Sequence, residues 1–169
     1  MNRRSILAVF AMPALGLIYS RSTAVAQQRS IKDQLVGTWS YVSSNAKRPD
    51  GTSLWGENPK GLFILTEGGS FSWQVFRSDR PKFASNSRLN ATAEELKATN
   101  QGSLAYFGTY SVDEADKTVT FRTEGSTFPN SDGEVIKRVI TKLTADELIY
   151  TNPTTTLGAQ VEAVWKRMK

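Results

Sequence analysis

From Gly37 to the end of the chain, short runs of apolar, β-branched and aromatic residues are broken by turn residues, and helical spacing is scarce. That pattern predicts strands, placed near 37–45, 61–66, 70–77, 104–112, 117–124, 134–143, 147–152 and 159–167. A shorter strand is expected near 52–55, after the Pro49-Asp50-Gly51 turn. Glu67-Gly68-Gly69 reads as a hairpin turn, since glycine supplies the positive φ that tight connections need. Asp113 to Asp116 and Thr144 to Asp146 read as the next short turns. About eight sequential strands joined by hairpins can lose their exposed edges by closing into an antiparallel up-and-down barrel. The expected fold class is therefore all-β, with an open sandwich as the alternative.

Residues 78–102 interrupt this rhythm and hold the one convincing helix. Thr92 reads as its N-cap, with Glu95 completing a capping box, and Gly102 suits its end. Such an insertion either plugs one end of a barrel or forms a lid over its mouth. Within the strands, Phe71, Trp73 and Val75 share one face, as do Tyr106, Gly108, Tyr110 and Val112. These aromatics fill a solid core or line a cavity. Gly108, between two tyrosines, is expected to leave room where a side chain would project. Ser70, Ser72, Gln74 and Phe76 form the opposite face, and would make the interior more polar if they pointed inward.

Leu35-Val36-Gly37-Thr38-Trp39-Ser40 opens the first strand with a Gly-x-Trp step. Further along stand Asn58-Pro59-Lys60-Gly61, Arg77-Ser78-Asp79-Arg80-Pro81, Ala105-Tyr106-Phe107-Gly108-Thr109-Tyr110 and Glu124-Gly125-Ser126. Together they resemble the small bacterial and fungal lipocalin-like domain family, a calycin-type β-barrel, over nearly all of the chain after its first residues. The resemblance implies that Gly37 and Trp39 close the barrel floor beneath an arginine of the last strand. Arg167, in phase with Val161, Ala163 and Trp165, is its counterpart here. With no cysteine for a disulfide, and ending directly after its last expected strand, the chain departs from better-known lipocalins. No particular ligand class is implied.

The first residues have a separate character. Asn2-Arg3-Arg4 is basic, Ile6 to Ile18 is mostly apolar, and Ala24-Val25-Ala26 is an A-x-A cleavage pattern. This is the layout of a secretory signal peptide, and its apolar run falls short of the roughly 20 residues of a membrane-spanning helix. The expected organisation is a leader at 1–26 and one barrel domain at 27–169, with export to the periplasm or the medium by the general secretory or the twin-arginine route. Such a leader holds three arginines and no acid, so the formal net charge of +5 drops to +2 without it. No basic stripe with interleaved aromatics points to nucleic acid.

Histidine and cysteine are both absent. That excludes Ser-His-Asp and Cys-His catalysis and histidine-based metal sites; no metal or cofactor is expected and no catalytic residue is assigned. The candidate ligand contacts are Trp73, Tyr106 and Tyr110 on the aromatic faces, with Arg77, Arg80, Glu124 and Asn130. Arg77, Arg80, Lys82 and Arg88 cluster where a strand meets the helical insertion. An arginine fork there has the geometry to anchor a carboxylate or enolate, although Asp79 can pair with a neighbouring arginine instead. A buried Glu124 would have a raised pKa and could transfer protons; a turn-stabilising carboxylate is the plainer reading. Asn130 offers both donor and acceptor.

The function expected first is binding of a small apolar or amphipathic molecule, an acidic one if the arginines anchor it, without stable membrane insertion. A cofactor-independent isomerase or cyclase acting inside the barrel, and an interaction domain with a filled core, are the alternatives. A dry aromatic cavity favours binding. A cavity in which Glu124 or a tyrosine hydroxyl faces an arginine favours catalysis.

Overall fold

Alternation of apolar and polar residues folds each strand with one face inward, and closure of the sheet leaves those faces no neighbour but each other. In the computed structural model, which describes residues 29–155 and 158–169, the strands are β1 (Gly37–Ser44), β2 (Lys60–Leu65), β3 (Ser70–Phe76), β4 (Ser103–Asp113), β5 (Thr118–Ser126), β6 (Val135–Leu143), β7 (Glu147–Asn152) and β8 (Val161–Arg167). They form a closed barrel in sequence order, every neighbour antiparallel, with β8 returning to β1 through Trp39↔Arg167 and Tyr41↔Trp165. The expected leader at 1–26 lies outside the described residues.

All eight expected strands are present, with ends that differ by a residue or two. The expected strand near 52–55 is instead an isolated bridge, Lys47↔Ser53. Polar Asp50 and Thr52 turn the chain there, the Asp50 carboxylate accepting from the Thr52 backbone at 2.9 Å.

The connections divide the barrel into two ends. The β2–β3, β4–β5 and β6–β7 hairpins are short and lie at one end. Gly69, at φ +85°, permits the first of them, and Asp113 and Asp116 brace the second by accepting from Ala115 and Thr118 at 2.9 Å. A helix the sequence pattern did not announce, α1 (Ile31–Leu35), plugs this end. Its N-terminal amides of Ile31 and Lys32 donate to the Glu114 carboxylate in the β4–β5 turn. Leu35 is buried, and its carbonyl accepts from Trp39 Nε1 at 2.9 Å. Arg167 Cζ lies 4.0 Å from the centroid of the Trp39 ring. Its Nη1 donates to Val36 O at 2.8 Å and its Nη2 to Gln34 O. Gly37 has φ +132°, and a Cβ there would stand 2.7 Å from Arg167 Nη1.

The other end carries longer connections, among them 45–59, 77–102 and 127–134. The second contains α2 (Ala93–Gln101), whose capping box between Thr92 and Glu95 is complete and whose C-cap is Gly102.

Candidate functional site

Large aromatic side chains fill the barrel unevenly. Towards the α1 end, Phe63, Leu65, Val119, Phe121 and Leu148 are buried and surround a void of only about 10 Å³. Towards the open end lies a cavity of about 350 Å³, on the order of a dozen water volumes at about 30 Å³ each. Its walls carry Trp55, Trp73, Tyr106, Tyr150, Leu104, Ile136 and Ala163, and its rim carries Ser44, Asn100, Gln101, Ser103, Thr127 and Asn152. The barrel is packed in one half and hollow in the other. An eight-stranded barrel has room for this much and little more.

The aromatic wall is ordered by its own contacts. Trp73 stacks on Tyr106 at 4.9 Å between ring centroids, and Trp55 from the 45–59 connection lies 6.2 Å from Trp73. The Trp73 indole donates to the Tyr150 hydroxyl at 2.9 Å. Tyr41 donates to Ser44 Oγ at 2.8 Å and sets its ring edge-on to Trp165 at 5.1 Å. Burial pushes the Tyr41 phenol up to about 12, against the opposing bond to Ser44.

Arg138, on β6 between inward-facing Ile136 and Ile140, is a cation in this apolar setting and is only 4% exposed. It borders both the cavity and the small void beneath, and so forms the cavity's foot. Its guanidinium carbon lies 4.5 Å from the Tyr150 ring centroid and 4.9 Å from that of Phe121. Its Nη2 donates to the Tyr106 hydroxyl, while Nε and Nη1 have no partner among the described residues. Burial opposes its charge, but the Tyr106 and Tyr150 oxygens outweigh that, so its pKa is raised from the ordinary arginine value. The Tyr106 phenol is pushed well above its ordinary range by burial, which Arg138 only partly counters.

The residues expected to touch a ligand separate into two groups. Trp73 and Tyr106 line the cavity together. Tyr110 belongs to the packed half, where it stacks on Phe121 at 6.2 Å and donates to Thr66 O at 2.7 Å. Arg77 and Arg80 stand outside the cavity wall. Arg77 is paired with Asp79, its Nε donating at 2.8 Å, which raises the Arg77 pKa and holds the Asp79 carboxyl below its usual range. Arg80 donates to Arg77 O and Ser103 Oγ, both at 2.9 Å, over the Phe76 ring, and so ties the 77–102 connection to the start of β4. Glu124 is exposed on β5 rather than buried, and Asn130 is exposed in the short 3-10 helix Pro129–Ser131, whose Ser131 reaches the rim instead.

Gly108 serves another purpose than the room expected of it. At the β4–β5 bulge a Cβ there would stand 2.0 Å from Arg122 O, so the glycine permits backbone contact.

Arg138, Tyr150 and Trp55 were not singled out from the sequence. Arg138 carries an ambiguous signal, an arginine flanked at both i±2 positions by isoleucine. Lys137 between Val135 and Val139 gives the same pattern in the opposite phase, so the sequence left open which cation points inward.

A family model described as a lipocalin-like domain matches residues 36–168. No curated protein matches the chain in sequence. Among solved structures, a lipocalin-like protein from Bacteroides uniformis is similar at 16% identity and TM-score 0.42, over 80% of this chain and 99% of that one. A redesigned β-barrel is similar at 13% identity and TM-score 0.44, over 83% of this chain and 100% of its own. Bovine odorant binding protein, in complex with a selenium-containing odorant, is similar at 12% identity and TM-score 0.42, over 85% and 76% of the two chains.

Proposed function

Because the chain belongs to the lipocalin-like domain family, we propose that it holds one small, mostly apolar molecule in the open half of its barrel. The observation that carries this reading is the cavity of about 350 Å³ walled by Trp55, Trp73, Tyr106 and Tyr150. A pocket of this size, apolar in its walls with a few polar groups at the rim, is the usual form of a small-molecule site. The α2 end of the long connection contributes Asn100 and Gln101 to the rim, so the ligand passes beside that helix.

A neutral apolar fluorophore such as N-phenyl-1-naphthylamine should bind with about one site per chain and quench the tryptophans of the wall. Ala163→Phe projects a ring into the cavity from β8 and should abolish that binding while the melting temperature stays near that of the wild type. Absence of probe binding to the wild type, or unchanged binding to the filled variant, counts against the reading.

A second reading, an isomerase or cyclase acting within the barrel, is favoured by the Tyr106 hydroxyl facing Arg138. Binding stands first because burial holds the Tyr106 proton on its oxygen, and Glu134, the one acid among the described lining residues, stands at the exposed rim. Turnover would show as a rearranged ligand recovered by chromatography, lost in Tyr106→Phe while binding persists.

Export is the remaining part of the proposal and is supported by the basic, apolar and A-x-A segments of residues 2–26. An intact mass beginning at Gln27, measured on the protein from its native host, is the expected result.

A further inference from the structure

We propose that Arg138 anchors the anionic end of the barrel's ligand, and that this ligand is a small amphiphilic carboxylate seated acid-end down. The proposal rests on the cavity reading above and names the ligand class for it.

Three observations converge on the anchor. First, the guanidinium lies at the foot of the cavity, 4% exposed, with Nε and Nη1 unpartnered among the described residues. A buried cation without an opposite charge is costly, and aromatic faces compensate it only in part. Second, no carboxylate among the described residues pairs with it. The ion pairs among the described residues are Arg77–Asp79 and Lys142–Glu147. Glu134, the acid of the cavity lining, stands four positions away on the same run of chain, about 13 Å at roughly 3.3 Å per residue. Third, the guanidinium is held in place by the Tyr106 hydroxyl and by the rings of Tyr150 and Phe121.

The walls above describe the rest of the ligand. Trp55, Trp73, Leu104 and Ile136 would flank an apolar or aromatic body, and Asn100 and Gln101 would meet a polar tail at the rim. Phosphate monoesters, which are larger and carry up to two charges, fit one buried guanidinium less well than a carboxylate with one.

The test pairs 4-phenylbutanoate with its neutral amide, each displacing N-phenyl-1-naphthylamine from the full chain and each scored independently by thermal shift. The carboxylate should bind the wild type at least about tenfold more tightly than the amide, as expected for charge-assisted hydrogen bonds in a buried site. Arg138→Met should bring the acid down to the amide while still binding the fluorophore, and should melt no lower than the ligand-free wild type. Arg138→Lys should fall between the two.

Equal binding of acid and amide to the wild type overturns the proposal, as does an acid preference that survives in Arg138→Met. Saturation by chloride alone, with no preference for the acid over the amide in a chloride-free buffer, would mean a site for an inorganic ion only and overturns it too. Failure of the fluorophore with the acid still stabilising the wild type would remove the neutral-probe test of the cavity and leave the anchor standing. If Arg138→Met does not fold, the wild-type comparison of acid with amide decides alone.

Discussion

At the scale of single residues, two arginines in this barrel do opposite work. Arg167 spends its donors on backbone, reaching Val36 O, Gln34 O and Ala145 O, and lies over the Trp39 ring. Arg138 keeps two nitrogens without partners among the described residues. The first is a closure device, the second a group awaiting a partner. Trp39, with no exposed surface, should cost about 3–5 kcal/mol when truncated to alanine. Arg167→Ala should also destabilise, and the double variant should lose less than the two single losses together, because each already removes the ring contact. A coupling of about 0.5–3 kcal/mol is expected from thermal or urea melts of the four proteins; strict additivity would mean that the contact contributes nothing. This pair could be read from Gly-x-Trp and the phase of β8, since both residues are set by strand alternation. Arg138 could not, because Ile136 and Ile140 on one side of β6 and Val135 and Val139 on the other make its two faces equally apolar.

Elements were legible to the degree that their pattern is local. Strands were visible because alternation repeats within each, and α2 because its cap, its helix formers and its terminating glycine all lie within eleven residues. The five-residue α1 is too short for periodicity to register, and its stability comes from Leu35 and from Glu114, which is 83 residues away from Ile31. Residues 52–55 were expected as a strand after the Pro49-Asp50-Gly51 turn, yet Leu54 and Trp55 turn towards the cavity from a loop.

For α2, the consequence of its capping is local. It buries no residue, so Thr92→Ala should cost the helix about 1 kcal/mol with little change in the global melt. Amide exchange along 93–101 should quicken while the strands keep their protection. Glu95 accepts from both Ala84 and Thr92 at 2.8 Å, and these backbone donors hold its carboxyl below the usual glutamate range. Stabilisation by a group with a depressed pKa is complete above its unfolded value and is lost as pH falls through the folded one. Faster exchange in α2 is therefore expected on the acid side alone; onset at neutral pH would mean that another group controls the helix.

Across the whole molecule, the division of the barrel into a packed half and a hollow half separates stability from binding. Phe63, Phe121, Trp165 and Leu148 supply buried apolar contact below Arg138, and the walls above it enclose free volume. Binding at this site should be insensitive to pH. The chain has no histidine and no cysteine, and every carboxyl among the described residues with a resolved shift is displaced downward, as for Asp50, Asp79 and Glu95. The tyrosines Tyr41, Tyr106 and Tyr110 are displaced upward by burial, and Arg138 is displaced upward as well. All these shifts push titration away from neutrality. Affinity for a carboxylate such as 4-phenylbutanoate should be flat between about pH 6 and 9 and fall only in acid, as the ligand's own carboxyl is protonated. Fluorescence titrations in buffers of constant ionic strength measure this directly. A binding midpoint within the interval would place a second ionising group at the site, and would move the seat of recognition away from Arg138.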